Sequence, residues 1–197
     1  MQISRATTNM KKSVSQVQRA HQWVAQYLGD GDIAIDATVG NGYDTFFLAQ
    51  QVGTDGYVYG FDIQQSALDL CYQLLVEQNL QSRVGLINSC HTDMRHIPRQ
   101  GEISAIMFNL GYLPGGDKQI STEPESTLKA LEASLALIRS NGVISIIAYP
   151  GHAAGKQETS AVKQWVRSLH PDQYQVNIEI PDNVNNPAPE LFVIIKR

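Results

Sequence analysis

A glycine-containing turn between two apolar segments is where this chain holds its most specific chemistry. The turn runs from Asp36 to Thr45 and reads DATVGNGYDT. The residues before it predict a short strand and those after it a helix, so Gly40 and Gly42 fall where the backbone must turn tightly beside a ligand. A second apolar strand ends at Asp62, where a carboxylate can accept both hydroxyl hydrogens of a ribose. The pattern predicts a nucleoside-binding corner.

The residues of this turn favour one type of nucleoside ligand over another. A dinucleotide site requires G-x-G-x-x-G, but Thr45 stands in place of the third glycine and Asp44 lies where a negative pyrophosphate would sit. S-adenosylmethionine carries an ammonium and a sulfonium beside its adenosine, which suits a carboxylate better. Asp36 also fits the acid that opens the methyltransferase loop (D/E)-x-G-x-G-x-G, with Thr38 replacing the first glycine. A purely structural turn is the alternative, and Asp62 argues independently against it.

Composition indicates an ordinary globular protein. The chain has 197 residues, 43% hydrophobic and 17% charged, which predicts a single domain over residues 1–197 with an accessory or flexible segment of about 13 residues at its start. It contains no apolar run of the roughly 20 residues that span a bilayer and no apolar leader, so we expect a cytoplasmic protein without a membrane partner. Cys71 and Cys90 are expected to be thiols, and no metal site is predicted. The net charge of −4 argues against a broadly basic RNA-binding surface but not against a local patch.

Alternating periodicity predicts an α/β fold. Helices are expected over residues 14–28, 46–52, 67–78, 127–139 and 155–169, and strands over 32–36, 57–63, 84–89, 104–109, 143–149, 174–180 and 191–196. Seven strands with a final pair joined without a helix match a Rossmann-like class I S-adenosylmethionine-dependent methyltransferase: a mainly parallel sheet with a terminal antiparallel hairpin. In such sheets the ligand lies beyond the carboxyl ends of the strands.

The fourth predicted strand ends in Asn109-Leu-Gly-Tyr112, which resembles the (D/N)-P-P-(Y/F) signature of amino-group methyltransferases. The Asn109 side-chain oxygen can accept an N–H of a target amine and aim its lone pair at the methyl group. Tyr112 can stack on the base that carries the amine. The segment 110–122 is long and rich in glycine, including Gly115, which favours a functional loop over a plain surface loop.

An alkyl amine must lose its proton before it can attack, and the sequence leaves the proton acceptor open. His152 follows the fifth strand, His91 follows the third, and Asp117 lies in the loop after Asn109. A single histidine is more often structural than catalytic, so none of the three is selected. His91 also lies where adenine commonly packs.

Five segments together resemble one known family. They are residues 36–45, 60–64, 108–118, 149–152 and 185–187. The family is the small methylase group labelled putative rRNA methylases, whose characterised members are tRNA 5-aminomethyl-2-thiouridine methyltransferases. The resemblance extends over about residues 14–197, and its specific part is the block 109–118. This chain departs from the family pattern at Pro150 and Ala188.

The resemblance implies an enzyme that uses S-adenosylmethionine to finish 5-methylaminomethyl-2-thiouridine at the wobble position of tRNA. The implied cofactor pocket consists of Asp36, Gly40, Asn41, Asp44, Thr45, Asp62, Gln64, His91 and Asn109. The implied acceptor side consists of Tyr112, Gly115, Asp117, Tyr149, His152 and Asn186, and the residues expected to act in catalysis are Asn109, Tyr112, Asp117 and His152. The partner would be a tRNA anticodon loop, bound by a small basic rim that a homodimer could supply.

Three other functions remain open from the sequence. A small-molecule or other RNA N-methyltransferase would have the same pocket. Turnover that depends on tRNA would distinguish the tRNA wobble-uridine methyltransferase from it. A non-catalytic nucleotide-binding protein would bind the cofactor without transferring methyl. A dehydrogenase would bind NAD in preference to S-adenosylmethionine.

Overall fold

Seven strands form one twisted sheet in the computed structural model, which describes residues 14–98, 101–112, 121–181 and 187–197. The strands are β1 (Ile33–Asp36), β2 (Tyr57–Asp62), β3 (Val84–Asn88), β4 (Ile103–Asn109), β5 (Ile138–Ala148), β6 (Tyr174–Glu179) and β7 (Glu190–Lys196). Their order is β3-β2-β1-β4-β5-β7-β6. The pairs from β3 to β5 are parallel, and β7 runs antiparallel to both β5 and β6. The predicted sheet, with its terminal antiparallel pair, is confirmed.

Helices cover both faces of this sheet. They are α1 (Gln16–Val24), α2 (Tyr43–Gln51), α3 (Gln65–Glu77), α4 (Pro124–Leu137) and α5 (Ala153–Ser168). One apolar cluster joins the sheet to α4 and α5 through residues such as Phe108, Leu131 and Trp165. A second joins the other face to α1, α2 and α3 through residues such as Leu48 and Leu75. Since both faces are covered, the central strand β4 is buried over nearly its whole length. Within the described ranges, no helix is long and apolar enough to cross a membrane.

The predicted boundary between α4 and β5 is wrong. The sequence pattern placed helix over 127–139 and strand from 143, with Asn141-Gly142 as the stop. The structure instead ends α4 at Leu137 and begins β5 at Ile138. Pairing between β4 and β5 shifts register around Asn141, whose φ of 58° is left-handed. Asparagine tolerates this conformation, so the pair forms a bulge within the strand rather than a helix end.

Helix α1 is shorter than predicted and its start has a local cause. Ser15 and Gln18 form a reciprocal capping box, in which the Ser15 hydroxyl accepts from the Gln18 amide at 3.2 Å and Gln18 Oε1 accepts from the Ser15 amide at 3.0 Å. This arrangement satisfies two amides that the first turn leaves without partners. The helix packs against β5 and β7.

Candidate functional site

Three polar residues end neighbouring strands at one edge of the sheet. Asp36 ends β1, Asp62 ends β2 and Asn109 ends β4, and these strands are adjacent in the order β2-β1-β4. Because parallel strands place their carboxyl ends at the same edge, residues that are far apart in the sequence meet here. This edge is the candidate cofactor and acceptor site.

The glycine turn is required by packing as well as by backbone shape. Gly40 and Gly42 have φ of 51° and 82°. A Cβ on Gly42 would lie 2.8 Å from Cys71 Sγ and 2.9 Å from its Cα, so any side chain would push α2 away from α3. The turn therefore holds the start of α2 close to the strand ends. Asn41 lies half-buried within the turn.

The Asp62 carboxylate connects the glycine turn to the segment that follows β2. Its two oxygens accept from the backbone amides of Gly40 and Gln64, each at 2.9 Å. Asp62 is half-buried, and an ionised carboxylate has about four acceptor positions. It can therefore hold the turn and still accept ribose hydroxyl hydrogens, as the sequence predicted for a carboxylate at this strand end.

Asp36 and Thr45 lie beneath the turn rather than at its surface. Both are fully buried, and Thr45 Oγ1 donates to Asp36 Oδ2 at 2.5 Å while the Thr38 amide donates to Oδ1 at 3.1 Å. Burial, followed by repulsion from Asp44, raises the pKa of Asp36 to about 7. The two side chains, predicted to line the cofactor pocket, are placed to support it from below.

We expect Asp36 to make the protein less stable as the pH rises. A carboxyl group whose pKa is raised from 3.8 to about 7 holds its proton more strongly in the folded chain than in the unfolded chain. Its contribution to the free energy of unfolding is therefore fully present below pH 3.8 and is lost as the pH rises through 7. The Asp36→Asn variant lacks this group, so its stability should not fall in the same way. The free energy of unfolding of the variant minus that of the parent should therefore increase from pH 5 to pH 7, by at most about 1.4 kcal/mol per pH unit. Urea denaturation of both proteins from pH 5 to 8 measures this. Asp69→Asn, at an exposed position on α3, serves as the control. If the stabilities of Asp36→Asn and the parent changed equally with pH, the raised pKa of Asp36 would be contradicted.

Asp44 is the central acceptor between α1, α2 and β4. It lies in the first turn of α2 and is 6% exposed. His21 Nε2 lies 2.6 Å from its Oδ1, and Asn109 Nδ2 donates to its Oδ2 at 3.4 Å. The His21 ring stacks on Phe47, with centroids 3.9 Å apart and planes at 4°. The sequence pattern did not single out His21, because His21 and Asp44 lie 23 residues apart in the chain and belong to different helices.

Asn109 is held on both its backbone and its side chain. Its amide donates to Thr38 Oγ1 at 2.7 Å. Burial and the negative charge of Asp44 raise the pKa of the Tyr149 hydroxyl, and the nearby Asn109 side chain opposes that rise. Tyr112 is 38% exposed, and its ring centroid lies 5.7 Å from that of His152. Four residues predicted for the acceptor reaction, Asn109, Tyr112, Tyr149 and His152, are thus brought to the same edge.

The two histidines considered as proton acceptors occupy structural positions. His152 Nδ1 accepts from the Gly155 amide at 3.1 Å and caps α5, so the neutral ring carries its proton on Nε2. Taking up a further proton at Nδ1 would break this cap. His91 is 7% exposed, and its ring meets Phe108 edge to face at 5.9 Å. Burial lowers the pKa of His91, which keeps the ring neutral.

A buried glutamate anchors the segment that follows Asn109. The Gly111 amide donates to Thr122 Oγ1 at 2.8 Å, and the Thr122 amide donates to the Gly111 oxygen at 2.9 Å. Thr122 Oγ1 and Thr127 Oγ1 donate to Glu158 at 2.8 and 2.7 Å. Gly111 and Thr122 are thus held together, and Glu158 holds Thr122 in place. The predicted residues Gly115, Asp117 and Asn186 lie outside the described residues.

Replacing Glu158 by alanine should destabilise the fold. The change leaves the buried Thr127 hydroxyl and the half-buried Thr122 hydroxyl without their acceptor, which costs about 1–3 kcal/mol of unfolding free energy. Glu158→Gln keeps one carbonyl acceptor, so its free energy of unfolding should fall by less than that of Glu158→Ala. Equilibrium urea denaturation measures both, and Glu125→Ala, at an exposed position on α4, should change little. Equal stability of Glu158→Ala and the parent would show that the anchor contributes nothing.

The donor set of this edge fits a nucleoside that carries positive charge. Three carboxylates, Asp36, Asp44 and Asp62, lie beside the glycine turn. Burial is the main cause of the raised pKa of Asp36, and repulsion from Asp44 and Asp62 adds to it. A cationic ligand would relieve that repulsion, whereas an anionic pyrophosphate would add to it. Among the residues that the structure describes, no group of three or more His, Cys, Asp or Glu side chains is arranged to hold a metal ion.

Comparison with known proteins places the chain in a family. The family model described as Putative rRNA methylase matches residues 58–196. A tRNA (mnm(5)s(2)U34)-methyltransferase of Arabidopsis thaliana chloroplasts is 39% identical over 160 residues, which are 76% of this chain and 58% of the plant protein. The chain thus spans less than two thirds of that relative.

Two solved structures are similar over almost their full length. A putative rRNA methylase from Clostridium thermocellum is 36% identical with a TM-score of 0.91, covering 94% of this chain and 100% of that one. A putative methyltransferase from Streptococcus mutans, solved in complex with SAH, is 32% identical with a TM-score of 0.84, covering 94% and 99% of the two chains. The chain belongs to the putative rRNA methylase family and is built as a class I S-adenosylmethionine-dependent methyltransferase.

Proposed function

We propose that the chain methylates the primary amine of 5-aminomethyl-2-thiouridine at the wobble position of tRNA, giving 5-methylaminomethyl-2-thiouridine. The observation that carries the proposal is the position of the Asn109 side chain at the end of β4, where its Nδ2 donates to Asp44 Oδ2 at 3.4 Å. An amide held there can orient an exocyclic amine. The similarity to the plant tRNA methyltransferase supports the same substrate.

The residues of the site would act by position rather than by covalent chemistry. The Asn109 amide donates to Asp44 through Nδ2, which leaves Oδ1 to accept an N–H of the amine and aim its lone pair. S-adenosylmethionine, when bound, supplies a methyl group whose bond to sulfur breaks with its electron pair left on sulfur. Asp62 would hold the ribose, and Tyr112, exposed at the edge, would stack on the flipped base.

The amine would enter this site in its neutral form. The His152 cap occupies Nδ1, and burial lowers the pKa of His91, so neither ring is arranged to hold a proton taken from the amine. Proximity and alignment alone can supply roughly 7–11 kcal/mol towards such a transfer. After transfer, the product ammonium would lose its proton to water.

The partner and the setting belong to the same proposal. We propose that the chain acts as one methyltransferase domain on the anticodon loop of tRNA in the cytoplasm. Because the net charge of the chain is −4, a homodimer would supply part of the basic rim that binds the anticodon loop.

The test is direct. Purified protein and labelled S-adenosylmethionine are incubated with tRNA that carries 5-aminomethyl-2-thiouridine. The tRNA is then digested to nucleosides, and their masses are measured by mass spectrometry. A gain of one methyl group on that nucleoside, absent with an unmodified transcript of the same tRNA, is expected. Methylation of the free nucleoside at the same rate would favour a small-molecule enzyme. Cofactor binding without any transfer would indicate a non-catalytic protein.

A further inference from the structure

Helix α1 contributes one side chain to the site, and it reaches Asn109 in two steps. His21 Nε2 contacts Asp44 Oδ1 at 2.6 Å, and Asp44 Oδ2 accepts from Asn109 Nδ2 at 3.4 Å. Since an ionised carboxylate only accepts, both nitrogens are donors in this chain of contacts. The three residues come from α1, α2 and the end of β4, so only the folded protein connects them.

The orientation of the Asn109 amide depends on this chain. Rotating the amide by half a turn exchanges its oxygen and nitrogen, which have nearly the same shape but opposite hydrogen-bonding roles. Asp44 repels the oxygen and accepts from the nitrogen, so it selects the orientation in which Oδ1 is left for another partner. A carboxylate that is 6% exposed needs a partner of its own to hold it in place, and His21 is that partner.

His21 is not what attaches α1 to the protein. The helix is tied to β6 by Glu179, whose carboxylate accepts from Arg19 Nη1 and Trp23 Nε1, each at 2.8 Å. Gln16 Nε2 donates to the Glu179 backbone oxygen at 3.0 Å. These contacts lie on the same helix but do not involve Asp44. The contact between His21 and Asp44 therefore serves the site more than the attachment of the helix.

We infer that His21 is a positioning residue that orients the Asn109 amide through Asp44. For the methyl acceptor this inference rests on the proposed function, since it assigns His21 a part in aiming the amine. The orientation of the amide itself does not depend on which acceptor is used. It is a property of the free protein and can be measured without substrate.

Two substitutions separate hydrogen bonding from stacking. His21→Phe keeps a flat ring on Phe47 but has no donor for Asp44, whereas His21→Gln places an N–H near Nε2 without the ring. With the tRNA substrate, we expect kcat to fall roughly 10- to 100-fold in His21→Phe and to be largely restored in His21→Gln. Arg19→Ala removes an exposed ion pair of the same helix and should leave kcat unchanged. Equal loss in the Phe and Gln variants, or no loss in either, would overturn the inference.

A measurement without substrate keeps this test distinct from the test of function. The side-chain amide protons of Asn109 are followed by nitrogen-15 NMR in the free protein and are identified by their absence in Asn109→Ala. In His21→Phe the two proton signals should shift and broaden, and in His21→Gln they should stay near their original positions. Unchanged signals in His21→Phe would overturn the inference. If the parent protein does not methylate tRNA, the proposed function fails while the NMR result still decides the role of His21.

Discussion

Asn109→Ala is expected to lower kcat for the tRNA substrate about 100-fold, because the amine then approaches the methyl group without a partner that aims its lone pair. The affinity for S-adenosylmethionine should stay within about threefold, since the task of this side chain is to orient the acceptor. Single-turnover rates give the first quantity, and calorimetric titration with S-adenosylmethionine gives the second. A loss confined to the rate is the signature of an interaction made in the transition state.

Asn88→Ala is a suitable control for this change. Asn88 also ends a parallel strand, but β3 lies three positions away from β4 in the sheet. Its side chain donates to the Asp62 backbone oxygen at 3.1 Å and has no contact with Asp44. The rate of this variant should match the parent. A full rate in Asn109→Ala would remove the argument that an amide positions the amine. A large loss of cofactor affinity would instead support its predicted place in the cofactor pocket.

Asp62→Ala is expected to weaken S-adenosylmethionine binding roughly 100-fold. Two ribose hydroxyl groups lose a charged acceptor, and about 2.7 kcal/mol of lost binding free energy corresponds to that factor. The variant also frees the Gly40 amide, so the glycine turn should loosen, which hydrogen exchange at Gly40 would detect. Calorimetric titration with S-adenosylmethionine measures the affinity.

Asp62→Asn separates the ribose contact from the shape of the site. Asparagine keeps the volume and one acceptor oxygen, so affinity should fall by about tenfold, between the parent and Asp62→Ala. Asp69→Ala removes an exposed carboxylate from α3 and controls for the loss of one negative charge. Affinity that is unchanged in both Asp62 variants would exclude this residue from ribose binding and leave it only the role of holding Gly40.

Local chemistry explains why much of the fold could be predicted. Each buried strand is a short apolar run between turn residues, and its identity does not depend on distant contacts. The terminal pair β6 and β7 could be predicted as antiparallel because too few residues join them for a crossover helix. The α4–β5 boundary could not, since Asn141-Gly142 is a usual helix stop and only the register with β4 makes it a bulge.

The candidate site divides in the same way. Asp62 and Asn109 could be found because they follow apolar strands, and the carboxyl ends of parallel strands must meet at one edge. The buried role of Asp36 could not be found, because burial depends on how α2 packs above it. The cap that His152 forms on α5 and the anchor that Glu158 forms for the segment after Asn109 involve partners chosen by packing.

By itself, the sequence determined the methyltransferase fold, the glycine turn and the strand-end residues, because these depend on residues close together in the chain and on rules that hold for any parallel sheet. The tertiary structure alone decided that His21 of α1 meets Asp44, and that Asp44 meets Asn109. Contacts between separate elements depend on how whole helices pack against the sheet, and residue spacing in the sequence does not predict that packing. The physical reason is that local interactions largely determine secondary structure, whereas hydrogen bonds that connect three separate elements form only when the packed core brings those elements together.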